Sequence, residues 1–304
     1  MSAPPIDLSR LPSPEVIETI DYETLLAERK AHLVSLYPPD QQAELTATLK
    51  LESEPIVKHL QENAYREVVL RQRVNDAARG LMLAYAVDGN LDHLAAFFGV
   101  ERLTVTPADR DTNTPAIMES NTDLRARTQL APQSYSVAGP EGAYVSHARN
   151  AHGLVLDASA TSPAPCEVLV TVLSREGDGT ASDELLDAVS RKLAADDVRP
   201  LTDRVTVKSA QIIRYEVRAR LRFFSGPDRS VALAEAGRRT AIYTTEMHRL
   251  GMEVTLDGLY AAMRVPGVQR VDLETPQSSI PATKLQATYC TGIDLINGGV
   301  YGTA

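Results

Sequence analysis

The stretch from Glu54 to Ala86, EPIVKHLQENAYREVVLRQRVNDAARGLMLAYA, decides how the chain is read. Its helix-breaking residues are Pro55, tolerated in a first turn, and Gly80, so the spacing predicts one helix through to Ala86, on the order of 45 Å long. Val57, Leu60, Ala64 and Val68 form an apolar stripe along it, and Val74, Ala78, Leu81 and Tyr85 form a second, with charged Arg71 and Arg73 between them. Two short helices come before it. YETLLAERKAHLVSLYP sets Leu25, Leu26, Leu33 and Leu36 near one face before Pro38 and Pro39 stop it, and a shorter helix follows around Leu45 and Leu49. These two can cover only part of so long a stripe. The stripes either pack on the protein's own helices or belong to a bundle shared with other chains, and periodicity alone leaves both readings open. The eight stripe residues are the candidate partner-binding set.

Outward from this helix, residues 1–20 carry four prolines and read as an extended N-terminal arm without a core of its own. Residues 21–106 form a helical bundle domain that includes the turn and short helix of DGNLDHLAAFFGV. Residues 107–136, rich in Thr, Asp, Asn and Pro, read as a linker with one brief helical stretch at TDLRARTQL. Beyond it the period changes. In residues 137–211, GLVLDASATS and EVLVTVLS are strand-like, SDELLDAVSRKLAA is an amphipathic helix and RVTVKSAQI returns as strand, giving a central α/β module.

Residues 212–304 form a C-terminal α/β module with a Gly-rich end. Its opening, IIRYEVRARLRFF, alternates cleanly: Ile213, Tyr215, Val217, Ala219, Leu221 and Phe223 share one face, and Arg214, Glu216, Arg218, Arg220 and Arg222 the other. A helix over 230–250, a short one at LDGLYAAM and a strand at VQRVDLETP follow, and after Pro276 the pattern decays toward one last strand. GAYVSHARNAHGLVLDASATSP and GLYAAMRVPGVQRVDLETP share an order of short helix, glycine, strand and proline, which suggests two related modules. The expected fold class is α+β: an N-terminal helical arm in a shared bundle, followed by two small α/β modules of sheet and helix.

Composition narrows the function. The chain has 304 residues, 43% hydrophobic and 23% charged, an ordinary soluble balance. Its net charge of −9 argues against coating nucleic acid or an anionic membrane. Cys166 and Cys290 make neither a disulfide framework nor a CxxC pair. The N-terminus lacks the basic and apolar regions of a signal peptide, and nowhere do eighteen apolar residues run together, so neither secretion by that route nor membrane insertion is expected.

No stretch specifies catalysis. SREGDGTASDELL, residues 174–186, fits no register of an EF-hand and has no lysine for a phosphate loop. It matches a strand-to-helix connection, with permissive Gly177 and Gly179 and a cap from Thr180 or Ser182. His147 and His152 stand five apart, off one helical face, and neither HExxH, GxSxG nor GxGxxG occurs. The expectation is no catalytic residue, no metal site and no cofactor. The arginine face of 212–224 reads as a solvated strand face, with contact to an acidic protein surface open; an RNA-binding sheet would need aromatics on that open face, and Tyr215 and Phe223 lie on the other.

The runs DYETLLAERKAHLVSLYP, LESEPIVKHLQENAYREVVLRQRVNDAARGLMLAYA, NLDHLAAFFGVERL, QLAPQSYSVAGPEGAY, VTVLSREGDGTAS, DVRPLTDRVTV and VPGVQRVDL together resemble the phage baseplate assembly protein J family, in order, from about Asp21 to Cys290. The resemblance implies a structural wedge component of a contractile particle, either a phage tail or a phage-derived bacteriocin. It further implies a bundle joining two copies with one smaller wedge partner, contacts with neighbouring wedges, sheath-initiator and hub and spike proteins, and a part in the rearrangement that releases sheath contraction. Assembly in the bacterial cytoplasm and residence in the baseplate of the released particle go with that reading. The alternative is a soluble enzyme with an unrecognised site between the two α/β modules.

Overall fold

The computed structural model describes residues 6, 8, 11–12, 14–136, 138–195, 198–226 and 228–301. Residues 6–97 form one compact unit, and the described residues from Phe98 onward form a second.

The first unit is helical: α1 (Tyr22–Ser35), α2 (Pro39–Thr48), α3 (Pro55–Gly80) and α4 (Asp88–Ala96). Asp21 caps α1, its carboxylate accepting from Thr24 N at 2.8 Å. Prolines open both α2 and α3, where a missing N–H leaves no bond unmade. Leu26, Leu49, Val57, Leu60 and Ala64 make the buried core, flanked by Tyr22, Leu33, Val34 and Leu45. Glu67 on α3 pairs with Arg29 on α1 and with Arg71, which also reaches Glu18 at 3.2 Å. The helix stops at Gly80 rather than running to Ala86. Leu81 is its C-cap, and the chain turns so that Tyr85 N and Ala86 N both donate to Met82 O. The glycine also admits a close neighbour, since a Cβ there would lie 2.7 Å from Asn90 Nδ2.

The second unit begins with an antiparallel ribbon of β1 (Thr104–Thr106) and β2 (Ile117–Met118), then α5 (Asn121–Leu130) and a 3-10 turn (Ala131–Tyr135). The segment expected as a linker is therefore structured, with Leu124 and Leu130 buried and Ser120 Oγ capping α5 at 3.1 Å. Its Asp, Thr and Asn residues signal turns, and Asp109 does close one, accepting from Asp111 N at 2.9 Å and Thr112 Oγ1 at 2.7 Å.

Two three-stranded sheets follow. The first, in the order β3-β4-β5 (Val155–Thr161, Glu167–Ser174, Arg204–Ser209), packs on α6 (Glu141–Arg149) and α7 (Asp183–Leu193) around Tyr144, Val170, Val172, Leu185 and Val189. The second, in the order β7-β6-β8 (Val268–Thr275, Gln211–Phe223, Gln286–Val300), is covered by α8 (Arg229–Met247) and α9 (Leu256–Met263) around Val217, Leu221, Phe223, Leu259 and Met263. In each sheet the central strand runs antiparallel to a strand that follows a short helix and parallel to the other edge. The helix–strand units are α6–β3 and α9–β7, the two segments whose sequences resemble each other. One precedes its central strand and the other follows it, so the modules share a layout in a different chain order.

Only Ala210 separates β5 from β6. Its N–H donates to Val172 O at 2.8 Å, and the next N–H, of Gln211, donates to Leu285 O at 3.0 Å, so the chain leaves one sheet and enters the other within a residue. Leu173, Ala210 and Ala287 form the buried cluster at this crossing. β8 is 15 residues long and pairs with β6 along almost its whole length, far more than the decaying pattern after Pro276 suggested. Gly292, Gly298 and Gly299 interrupt its alternation. At Gly298 a side chain would meet Leu221 O at 3.0 Å, so glycine there is what lets two strands pair closely.

Candidate partner interface

The two stripes of α3 occupy different faces. Val57, Leu60 and Ala64 are buried against the protein's own helices, Val68 is half-buried, and Asn75 continues that buried face toward the C-terminal end. Val74 and Leu81 lie roughly a quarter turn away and are 62% and 78% exposed. Ala78 is half-buried at the border, and Tyr85 sits beyond the helix end with about a third of its surface exposed. Leu70, 66% exposed, and exposed Ala77 complete the outer face.

Leu70, Val74, Ala77 and Leu81 are spaced four, three and four apart, the repeat by which one helix presents a seam to another. Leu70 and Ala77 were absent from the candidate set. Their signal in the sequence is the heptad spacing within LRQRVNDAARGL rather than the looser apolar stripe. Exposed apolar side chains in such register are what a covering helix would bury.

The remaining candidates turn inward. In residues 174–182, Gly177 and Gly179 take φ of 60° and 99°, Asp178 Oδ1 accepts from Thr180 N at 3.1 Å, and Ser182 Oγ caps α7 from Leu185 N at 3.3 Å. Asp178 also pairs with Arg214. Hydrogen bonds from Thr180, then the Arg214 charge, hold its carboxyl below the ordinary aspartate value. The loop is occupied by its own backbone. The arginines of β6 meet acids of the flanking strands: Arg222 pairs with Asp272 at 2.9 Å, Arg220 with Glu274 at 3.6 Å and Arg218 with Asp294 at 3.3 Å.

Charge also gathers where the two modules meet. Arg127 and Glu119 form a buried pair; burial pushes the Arg127 guanidinium down and the Glu119 charge acts against that. Arg175 reaches Asp123 at 2.8 Å, and Asp157 accepts from Leu250 N at 3.1 Å. A cavity of about 380 Å³ lies beside this junction, lined by Tyr144, Ser162, Glu141 and Lys284. Lys284 pairs with Glu141, and the Tyr144 hydroxyl donates to Asp203 at 2.6 Å; burial and that bond keep the phenol protonated. The Lys284–Glu141 pair joins the two modules across this cavity. His248 Nδ1 lies 2.6 Å from Thr288 O, and His152 Nδ1 accepts from Leu154 N at 3.1 Å. Among the described residues no cluster of three His, Cys, Asp or Glu could hold a metal, and no helix is long and apolar enough to cross a membrane.

Residues 52–109 match the baseplate J-like N-terminal domain, and residues 136–209 match the baseplate J-like central domain. Baseplate protein J of Escherichia phage P2 is 51% identical over 298 residues, covering 97% of this chain and 99% of its own. The chain belongs to the baseplate J-like family. It is a structural baseplate component of a phage tail particle, and membership speaks for a structural rather than an enzymatic role. Among solved structures, a chain of the anti-feeding prophage (AFP) baseplate, seen by cryo-EM with six-fold symmetry, is 18% identical with a TM-score of 0.41 over 58% of this chain and 44% of that one. The first family match contains all of α3, so the bare seam lies inside a segment characteristic of baseplate J-like proteins.

Proposed function

We propose that this baseplate J-like chain is a wedge component of a contractile injection particle, a phage tail or a phage-derived bacteriocin, and that α3 is its partner-binding element. The bundle around α3 joins two copies of the chain and one smaller wedge partner. The α/β modules contact neighbouring wedges, sheath-initiator and hub and spike proteins, and the assembly takes part in the rearrangement that releases sheath contraction. The observation that carries this reading is the bare seam of Leu70, Val74, Ala77 and Leu81 on a helix whose buried face already serves the chain's own core.

Of the eight residues in the candidate set, Val57, Leu60 and Ala64 serve the chain's own core with Val68 half-buried on the same face, and Val74, Ala78, Leu81 and Tyr85 are the ones left to a partner. Co-expression with the products of neighbouring tail genes tests this. The full chain carrying Val74→Asp and Leu81→Asp should stay folded and lose co-purification with the smaller partner; retention of the complex contradicts the assignment.

A further inference from the structure

We infer that Asn297 is a site of spontaneous covalent modification: its side-chain amide closes on the nitrogen of Gly298, expels ammonia and opens to aspartate or isoaspartate, and the isoaspartate form releases the end of β8 from β6. The inference is independent of what covers α3.

Among the chain's asparagines only Asn297 is followed by glycine. A side chain on the next residue would shield the backbone nitrogen from the amide, and glycine has none. The fold adds to this. Asn297 is exposed and lies on β8, an edge strand of its sheet. The ladder breaks beside it: Leu221 pairs with Asn297 and Phe223 with Val300, so Gly298 and Gly299 together stand opposite Arg222 in a bulge, and Gly299 takes a φ of 78°. Asn297 Oδ1 accepts from Gly299 N at 3.0 Å. The ring closed by this Asx turn contains the Asn297–Gly298 peptide, so the side-chain carbonyl carbon is folded back toward the Gly298 nitrogen, and the hydrogen bond polarises that carbonyl for attack. A Cβ at Gly298 would lie 3.0 Å from Leu221 O, so the packing that closes the sheet also keeps the reactive pair in the chain.

Hydroxide removes the amide proton of Gly298, and the nitrogen attacks Asn297 Cγ. The new N–Cγ bond closes a succinimide as the Cγ–Nδ2 bond breaks, and ammonia leaves with a proton taken from water. Water then opens the ring at one of two carbonyls. Attack at Cγ breaks the new bond and gives aspartate in the original main chain; attack at the Asn297 backbone carbonyl breaks the old peptide bond and gives isoaspartate, whose main chain runs through Cβ and Cγ. Either product makes the chain one unit more negative than −9. The iso form also inserts a carbon just before the Phe223–Val300 pairing and the bond from Tyr301 N to Phe223 O at 3.0 Å, which then fall out of register. Tyr301 loses its place under the Arg270 guanidinium, 5.9 Å from its ring centroid. The change is irreversible, so the loosened fraction grows with the age of the protein.

The test incubates the full chain, folded and urea-unfolded, at mildly alkaline pH and follows its tryptic peptides by mass spectrometry. In the folded chain the peptide that begins at Leu285 should gain about one dalton, the change of an amide to an acid. It should split into aspartate and isoaspartate forms, at a rate that rises with hydroxide and exceeds that at every other asparagine. Asn297→Gln should abolish the gain. Conversion only in the unfolded chain, or no faster at Asn297 than elsewhere, would overturn the site. Hydrogen exchange reads the second step: the isoaspartate form, separated by ion exchange, should lose protection at Val300 and Tyr301, whereas Asn297→Asp should keep it. Equal protection in both would overturn the release of β8.

Discussion

Asn75 on α3 and Glu18 in the segment before α1 hold each other by two hydrogen bonds: Glu18 N donates to Asn75 Oδ1 at 3.1 Å, and Asn75 Nδ2 donates to Glu18 O at 2.9 Å. A buried amide at this point fixes which way the far half of α3 faces, because it turns inward one residue after Val74 turns out. Replacing it with alanine strands the Glu18 backbone groups. Asn75→Ala should cost about 1–3 kcal/mol and speed amide exchange at Glu18, read by hydrogen exchange and a denaturant titration. Unchanged exchange at Glu18 would mean that the clasp does not hold the arm.

The two stripes make opposite forecasts for the isolated protein. Val57 is fully buried, and burial of such a side chain contributes about 1.5–3 kcal/mol before any cost of placing a carboxylate there. Val57→Asp should lower the melting temperature sharply or prevent folding. Val74→Asp, on a side chain already in water, should change stability by less than about 0.5 kcal/mol. Comparable losses for the two would mean that the second stripe is covered within the chain.

Arg127 is the main tie between the 98–120 segment and α6: besides Glu119 it donates to Asn150 Oδ1 at 2.8 Å and to Glu101 O at 3.2 Å. Removing one member of a buried pair leaves the other's charge uncompensated, a loss of about 3–5 kcal/mol. Arg127→Met should show that loss, and adding Glu119→Leu should restore part of it. A second substitution as damaging as the first would show that the pair itself, rather than the orphaned charge, sets the cost.

For the turn at 174–182 the two glycines should behave differently. Both have positive φ, but a Cβ at Gly177 meets nothing within 4 Å, whereas at Gly179 it would lie 2.5 Å from Leu173 Cδ1. Gly179→Val should destabilise well beyond Gly177→Val in thermal melts. Asp178→Asn should leave metal content unchanged. Because its folded carboxyl sits below the ordinary value, Asp178 contributes stability above a pH of about 4 that fades as pH falls further, and the variant should lose that dependence. Calcium that disappears with the substitution would reverse this assignment.

Much of this was legible because side-chain period reports burial. Alternation from Ile213 to Phe223 announced β6, and Val217, Ala219 and Leu221 are fully buried as the pattern requires. β8 was not legible because its burial comes from pairing with β6 on one side, while Gly292, Gly298 and Gly299 carry no side chain to mark a face. The 107–136 segment misled for a related reason: its turn residues dominate the composition, and the few buried side chains, Leu124 and Arg127 among them, sit on a short helix whose polar surface hides the pattern. On α3 the apolar residues were evident, but which stripe faces inward depends on α1, α2 and the Asn75 clasp. Those are tertiary facts that no single helix encodes.

The most direct measurement is a cryo-EM map of the assembled baseplate at a resolution that traces side chains on α3. The account predicts a helix of another chain lying along Leu70, Val74, Ala77 and Leu81. A map in which those four side chains face solvent, or are covered only by residues of their own chain, would contradict it.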